Sequence, residues 1–82
     1  MTIERFQWTH HAEQRLGERR LVRGDVEQAI RYGHGNRQIN LGRADWLLTG
    51  TTADGVPFEA VYDHPAHGDA RTARVVSAWR LD

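Results

Sequence analysis

The stretch that decides the fold, residues 45–63, reads DWLLTGTTADGVPFEAVYD. Asp54-Gly55 lies between two segments in which apolar and polar residues alternate, an arrangement typical of a β-hairpin. The alternation gathers the side chains that the hairpin would bury on one face: Trp46, Leu48, Phe58, Ala60 and Tyr62. The stretch therefore predicts two antiparallel strands, at residues 45–50 and 57–63, that cover a core with one face.

Alternation continues on both sides of the hairpin. Residues 36–41 predict a further strand and residues 71–80 predict the last one, with residues 64–70 as a polar loop. We expect one face of the last strand to carry three residues: Val75, Ser77 and Trp79. Because side chains alternate in a regular strand, the other face would carry Arg74, Val76 and Ala78.

Upstream of the hairpin, the apolar residues recur with helical spacing. Thr9 is the expected N-cap of a first helix over residues 10–20, because its hydroxyl can accept an N–H of the first turn. Asp25 is expected to cap a second helix, which Gly33 would end. Residues 1–8 are expected to form a short strand or an extended arm that packs on the core.

Two helices followed by hairpin-linked strands indicate an α+β fold with an antiparallel sheet of three to four strands. A chain of 82 residues has the size of one small domain, which would span residues 1–82. No repeat, linker or low-complexity stretch divides it. We therefore expect two helices packed on a single sheet.

The composition excludes several classes of protein. The chain has no cysteine, so it can form neither disulfides nor thiolate metal sites. Its longest apolar runs are three residues, far too short for a membrane span. No apolar stretch near the N-terminus resembles a signal peptide, which favours a soluble cytoplasmic protein.

The charge is balanced, with 11 basic and 11 acidic residues, and every one of the basic residues is arginine. Residues 1–43 carry eight arginines and five acids, a net charge of +3, whereas residues 44–82 carry three arginines and six acids, a net charge of −3. A neutral total argues against broad non-specific binding of nucleic acid, which needs many phosphate contacts. A local anion site is still compatible with it, because the guanidinium fork fits phosphate and carboxylate oxygens.

The densest polar cluster lies on the first predicted helix. His11, Arg15 and Arg19 are spaced four residues apart, so they lie along one side of that helix. Metal-free cleavage of RNA needs a base for the 2′-hydroxyl, an acid for the leaving oxygen and cations for the charged transition state. A histidine that titrates near neutral pH and two arginines match these needs. The alternative is a solvated helix face on which the arginines pair with Glu13 and Glu18.

Other positions carry weaker signals. Ser77 interrupts an apolar face of the last strand, where its hydroxyl would bind either a phosphate or a nearby backbone group. Tyr62 on the neighbouring strand is typical of a core aromatic with a solvated hydroxyl. His64 and His67, flanked by aspartates, would either offer metal ligands or belong to an exposed loop. Residues 33–37, GHGNR, indicate a helix C-cap and a turn.

Parts of the chain resemble a known family. Residues 9–21, THHAEQRLGERRL, are similar to the opening motif T-x-H-A-x-x-R-[LM]-x-x-R-x-[IL] of domain of unknown function 4258 (DUF4258). Residues 25–33 resemble its second helix, which ends in a glycine, and the segments after residue 54 resemble its strands. The likeness covers nearly the whole chain. It implies the fold of the related BrnT and RelE-type toxins, in which two N-terminal helices pack on a curved antiparallel sheet.

The resemblance also implies a function, that of a metal-independent endoribonuclease acting as the toxin of a toxin–antitoxin pair. Carried over by position, His11 would be the general acid or base, and Arg15 and Arg19 would hold the scissile phosphate. Three further residues complete the candidate site: Ser77 as a phosphate ligand, and Arg80 and Tyr62 as substrate-binding residues. The partners would be an RNA substrate and a protein antitoxin, and the reaction needs no cofactor.

The chain departs from those toxins in two respects. It is neutral, whereas RelE-like toxins are typically strongly basic. It also has no lysine, so a relative that uses a lysine as the acid or base is a poor comparison. A second hypothesis is therefore a non-catalytic protein- or RNA-binding domain on the same scaffold. A third is a metal site at His64 and His67. The sequence pattern indicates no particular oligomeric state.

Overall fold

The computed structural model describes residues 3–81, apart from the side chain of Arg19. Its α-helices are α1 (His10–Arg19) and α2 (Arg23–Gly33), and a short 3₁₀ helix follows at His34–Asn36. Its strands are β1 (Arg5–Trp8), β2 (Gln38–Ile39), β3 (Trp46–Thr51), β4 (Pro57–Asp63) and β5 (Thr72–Arg80). They form a sheet in the order β1-β5-β4-β3-β2. The predicted α+β class is confirmed, while the first two residues of the predicted N-terminal strand lie outside the described range.

The hairpin at the centre of the chain has the predicted form. β3 and β4 are antiparallel, with Trp46 opposite Tyr62. Thr52 closes the turn, since its N–H donates to the Val56 carbonyl at 2.9 Å and its hydroxyl accepts the Val56 N–H at 3.0 Å. Gly55 takes a φ of 87° within the turn, a conformation that glycine adopts without steric cost.

The N-terminal strand differs from the expectation of a wholly antiparallel sheet. β1 pairs with β5 in parallel register, from Arg5 opposite Thr72 to Trp8 opposite Val75. The sheet is therefore mixed, and within residues 3–81 it has five strands rather than three to four. Alternation identifies a strand but not the direction of its partner. All the other elements lie between β1 and β5 in the chain, so the relative direction of these two strands is a property of the tertiary structure.

The last strand contains a β-bulge that changes its alternation after Val75. Tyr62 of β4 pairs with Val75, but the preceding residue, Val61, pairs with Ser77, so Val76 has no partner in the register. An extra residue in one strand shifts every later side chain to the opposite face. The face assignment expected from strict alternation therefore fails for the second half of β5.

We call the sheet face turned away from the core the outer face, and it carries Arg74, Ser77 and Trp79. Their respective cross-strand partners are Asp63, Val61 and Glu59. The expectation that Val75 shares a face with Ser77 and Trp79 is wrong, because Val75 is fully buried in the core. Ala78, expected on the face of Arg74, is also in the core, with 1% exposure.

Thr9 caps α1 as predicted. Its hydroxyl accepts the Ala12 N–H at 3.0 Å, and its own N–H donates to the Val75 carbonyl at 3.1 Å. The C-cap of the helix is Arg20, which adopts a left-handed conformation with φ of 55° and donates its N–H to the Leu16 carbonyl. The first helix is thus set by local capping at both ends.

The start of α2 differs from the prediction, whereas its end agrees with it. The helix begins at Arg23, before Asp25, and its N-cap residue Val22 makes no side-chain capping hydrogen bond. Gly33 is the last residue of α2, as predicted, but its φ is −100° and not left-handed, and the 3₁₀ helix follows it directly. A Cβ at Gly33 would lie 3.3 Å from a methyl carbon of Leu48. This glycine therefore permits close packing of α2 on β3.

The core lies between the two helices and the inner face of the sheet. Its largest fully buried side chains are Tyr62, Phe58, Ile3, Ile30, Val26 and Val75. The closest approach is at Gly50 of β3, where a Cβ would lie 2.8 Å from the Ala29 Cβ and 2.9 Å from the Phe58 ring. α2 can lie this close to β3 only because position 50 has no side chain.

We expect Gly50→Ala to lower the free energy of unfolding by about 1–3 kcal/mol, the usual cost of inserting a methyl group into a packed core. Gly17→Ala is the matched control, because a Cβ at this exposed position of α1 meets no atom within 4 Å. There, alanine should stabilise the helix by up to about 1 kcal/mol. Urea denaturation measures both changes. Changes of the same sign in the two variants would contradict the packing argument.

Candidate functional site

A cavity of about 280 Å³ opens where the first turn of α1 meets the bulge of β5. Its walls also include the loop between β2 and β3 and the end of β4. The described residues that line it are Thr9, His11, Arg43, Asp63, Arg74 and Val76. The cavity thus brings together a histidine, a carboxylate and two guanidinium groups from separate parts of the chain.

Thr9 fixes the position of His11. The Thr9 hydroxyl accepts the Ala12 N–H and donates to the Val76 carbonyl at 3.1 Å, so it ties the first turn of α1 to the bulge. His11 follows two residues after the cap, and it is exposed at the cavity. The N-terminal end of α1 lies at the same place, and its unpaired N–H groups and dipole favour an anion there.

Asp63 and Arg74 face each other across β4 and β5. Arg74 Nη1 lies 3.5 Å from Asp63 Oδ2, while Asp63 Oδ1 accepts the Asp45 N–H at 2.9 Å. The Arg74 side chain remains 47% exposed. Because a guanidinium has five N–H donors, this contact positions Arg74 at the cavity wall and leaves donors for a ligand.

Arg43 reaches the cavity from the loop between β2 and β3. Asn40 holds this loop, since its N–H donates to the Asp45 carbonyl at 3.1 Å and its side-chain amide donates to the Ala44 carbonyl at 3.0 Å. Ala44 is buried beneath the loop. Arg43 itself makes no hydrogen bond or ion pair within the described part of the chain. Its donors are therefore available to an anion.

Of the residues predicted to be catalytic, the structure brings His11 to the cavity. Arg15 is half-buried and pairs with Glu18, with 3.1 Å between Nη1 and Oε2, as in the alternative of a helix face with local ion pairs. Ser77 lies on the outer face but does not line the cavity. The side chain of Arg19 lies outside the described part of the structure.

The two expected substrate-binding residues lie away from the cavity. Tyr62 is fully buried on the inner face, so it presents no surface to a substrate. Its interpretation as a core aromatic is confirmed, but its hydroxyl is not solvated, since it lies 2.8 Å from His34 Nδ1. Arg80 is paired with Phe58 at the far end of β5, where it is half-buried. The bulge separates Tyr62 from Ser77, which face opposite sides of the sheet.

Three polar residues of the cavity are absent from the sequence-based prediction: Arg43, Asp63 and Arg74. The register of the last two strands is the signal for Asp63 and Arg74, because antiparallel pairing places these opposite charges across from each other. Arg43 follows from no pattern. Its position depends on a loop whose shape is set by Asn40.

A second polar cluster lies at the end of α2, and we call it the inner cluster: His34, Tyr62, His64, Arg37 and Trp46. His34 Nδ1 lies 2.8 Å from Tyr62 Oη, and the rings of His34 and His64 meet edge to face with centroids 4.4 Å apart. Arg37 stacks over Trp46 at 4.1 Å and donates to the His34 carbonyl at 3.0 Å. Residues 33–37 therefore do more than cap and turn the chain, since they bring a histidine against the sheet.

The inner cluster shifts two pKa values. Burial, followed by the charges of Arg37 and His64, lowers the pKa of His34 to about 4, so its imidazole is neutral at pH 7. Burial raises the pKa of Tyr62 to about 12, although the charge of Arg37 opposes this rise. Neither group changes its protonation near neutral pH, which suits a structural hydrogen bond better than proton transfer.

The loop histidines contact other parts of the protein. His64 Nε2 lies 2.7 Å from the Ala70 carbonyl oxygen, and His67 Nε2 lies 2.8 Å from Gln7 Oε1. Within residues 3–81, no group of three or more histidine, cysteine or acidic side chains is arranged to hold a metal ion. The hypothesis of a metal site at these two histidines gains no support from this geometry.

A family model described as Domain of unknown function (DUF4258) matches residues 8–80, a range that includes every residue lining the cavity. The chain belongs to this family. No curated protein and no solved structure matches it. None of the described helices has the length and apolar character needed to cross a bilayer.

The lowered pKa of His34 makes the stability of the fold depend on pH. Its pKa is about 4 in the folded chain and 6.5 for a free imidazole, so between these values the unfolded chain binds more protons. The free energy of unfolding should therefore fall as the pH drops from 6.5 towards 4. We expect His34→Gln to reduce this slope, measured by urea denaturation at several pH values.

His10→Gln is the control, because His10 is an exposed histidine of α1 whose side chain makes no hydrogen bond or ion pair in the described chain. It should keep the wild-type slope. An equal loss of slope in both variants, or an unchanged slope in His34→Gln, would show that other groups cause the sensitivity to acid.

Proposed function

We propose that this chain is a metal-independent endoribonuclease that cleaves RNA in the cavity at the start of α1. The observation that carries the proposal is the convergence of His11, Arg43 and Arg74 on one opening, beside the N-terminal end of a helix. Cleavage of a phosphodiester requires this combination of a proton-transfer group and groups that stabilise negative charge. A volume of about 280 Å³ accommodates a phosphate and part of its ribose.

The reaction follows from the chemistry of these groups. A base removes the proton of the 2′-hydroxyl, the 2′-oxygen attacks the adjacent phosphorus, and the bond to the 5′-oxygen breaks as an acid protonates that oxygen. His11 and Asp63 are the cavity groups that exchange protons, and Arg43 and Arg74 stabilise the charge that develops on the phosphate. The products are a 2′,3′-cyclic phosphate and a 5′-hydroxyl.

The phosphate contacts in this proposal differ from those expected from the helical motif. Arg43 and Arg74 line the cavity, whereas Arg15 is paired with Glu18 and does not. Ser77 lies on the outer face beyond Arg74. Its hydroxyl is therefore a candidate contact for the part of the RNA next to the scissile bond.

The architecture supports the more specific proposal that this chain is a toxin related to the BrnT and RelE-type toxins. Two helices that precede most of the sheet and pack on its inner face are the arrangement expected for those toxins. The outer face is left for RNA. A protein antitoxin would be the partner, and it would suppress cleavage by covering the cavity.

We expect the purified protein to cleave single-stranded RNA in the presence of a chelator and to leave 2′,3′-cyclic phosphate ends. His11→Ala should slow cleavage by about 100-fold or more, because general acid–base catalysis contributes at least that factor. Arg43→Gln should also slow it, because one guanidinium no longer stabilises the transition state. Gels of end-labelled RNA measure the rates, and phosphatase treatment before and after acid opening of the ring identifies the ends.

The matched controls are His10→Ala and Arg20→Gln, which alter exposed residues of the same segment that do not line the cavity. Both should cleave at the wild-type rate. Equal cleavage by wild type and His11→Ala would falsify the role of His11. Cleavage that stops on addition of the chelator would contradict the metal-independent mechanism.

A non-catalytic protein- or RNA-binding domain is the second candidate. The ion pair between Arg74 and Asp63 favours it, because the carboxylate already neutralises part of the positive charge at the cavity. The neutral total charge of the chain points in the same direction. The two candidates share the cavity and differ in whether RNA is cut there.

Inducible expression in a bacterial host separates the two candidates. If the chain cuts RNA, we expect growth to stop when the wild type is induced and to continue when His11→Ala is induced to the same protein level. The measurement is optical density over several generations, with immunoblots to compare protein amounts. Normal growth with both proteins, together with RNA binding by the purified wild type, would favour the non-catalytic candidate.

A further inference from the structure

The outer face carries an ordered row of side chains that begins at the cavity. The cross-strand pairs along β4 and β5 are Arg74–Asp63, Ser77–Val61 and Trp79–Glu59. The distances are counted along β4, because the bulge adds a residue to β5 only: Val61 and Glu59 follow two and four positions from Asp63. At a rise of about 3.3 Å per residue, Ser77 therefore lies about 7 Å and Trp79 about 13 Å from Arg74 along the strands. The row therefore leads from an arginine of the cavity, past a hydroxyl, to an indole.

Trp79 differs from the other two tryptophans in what covers its ring. Arg23 lies over the Trp8 ring at 5.2 Å, and Arg37 lies over the Trp46 ring at 4.1 Å. No guanidinium is stacked on Trp79 in the part of the chain that the structure describes. The residue is half-buried on the sheet face away from the helices, so part of it remains accessible to solvent there.

The indole of Trp79 is also held in place. Its Nε1 donates to Glu59 Oε1 at 3.2 Å. Val61 beside it is only 8% exposed, although it lies outside the hydrophobic core cluster. Val61 is therefore packed among the side chains of the outer face, where it forms an apolar floor. A ring that is already ordered loses little conformational entropy when a ligand stacks on it.

We propose that Trp79 is a stacking platform for a base of single-stranded RNA whose scissile phosphate occupies the cavity. The cleavage part of this assignment rests on the proposed function, whereas the stacking surface stands independently of it. Stacking on an aromatic side chain requires an unpaired base, which selects a single strand. The succession of arginine, hydroxyl and indole matches the phosphate, ribose and base of such a strand.

A nucleic-acid strand fits this face better than a protein does. Most of the large hydrophobic residues that are exposed in the described chain lie away from β4 and β5: Val22, Tyr32, Ile39 and Leu41. The centre of a protein interface is depleted of charge. The outer face, by contrast, is charged along its length: Glu59 accepts the indole N–H, and the Arg74–Asp63 pair lies at the cavity end of the row.

A short single-stranded DNA tests the platform separately from cleavage, because it lacks the 2′-hydroxyl that attacks the phosphorus. In Trp8→Phe/Trp46→Phe the only tryptophan is Trp79, and we expect the oligonucleotide to quench its emission, excited selectively over tyrosine, by stacking. In Trp46→Phe/Trp79→Phe only Trp8 fluoresces, and its emission should not change. The comparison assigns the quenching to one side chain.

Single substitutions in the otherwise intact chain keep the test valid if a double variant folds poorly. Trp79→Leu should weaken binding of the single strand by roughly 5- to 150-fold, the value of one stacked base. Trp79→Phe keeps an aromatic ring and should bind nearly as well as wild type. A duplex of the same sequence should bind wild type and Trp79→Leu equally, because its bases are already stacked. Fluorescence anisotropy of the labelled strands measures all of these affinities.

The outcomes separate this inference from the proposed cleavage. Quenching of Trp79 without any cleavage of RNA supports the platform and removes the nuclease. Cleavage that depends on His11, combined with equal affinity of wild type and Trp79→Leu for the single strand, overturns the platform and leaves the nuclease in place. Equal losses of single-strand and duplex affinity in Trp79→Leu also overturn it, because stacking would then not be the interaction lost.

Discussion

The position of the candidate site depends on one hydroxyl group. Thr9 Oγ1 accepts the Ala12 N–H and donates to the Val76 carbonyl, so a single atom both begins α1 and joins it to the bulge of β5. An N-cap residue contributes about 0.5–2 kcal/mol to stability. Here it also sets the spacing between His11 and the outer face. The cavity exists because the helix start and the irregular point of the strand are held together.

Much of the fold could be predicted from the sequence because its signals are local. The hairpin around Asp54-Gly55 and the start of α1 follow from alternation, turn residues and capping chemistry, which act over a few positions. The parallel pairing of β1 with β5 does not, because strands at opposite ends of the described chain leave no mark on each other's pattern. The bulge at Val76 becomes visible only when β5 is laid against β4.

The candidate site likewise has residues that local sequence signals predict and residues that they do not. His11 was predictable because its position follows from the helix cap. Helical spacing also selects Arg15, yet spacing does not distinguish a free guanidinium from one that pairs with Glu18. Arg43 enters the cavity from a loop, and His34 reaches Tyr62 only through the 3₁₀ helix after α2. These placements are tertiary, so they are absent from any pattern along the chain.

The pairing of β1 with β5 also affects when the fold can form during synthesis. β1 is made before both helices and the hairpin, but its hydrogen-bonding neighbour β5 is made after them. Contacts between segments so distant in sequence form late and slow folding. Until β5 docks, the cavity beside His11 lacks part of its lining, since Arg74 and Val76 belong to that strand. In a nascent chain the cavity therefore stays incomplete until β5 has emerged.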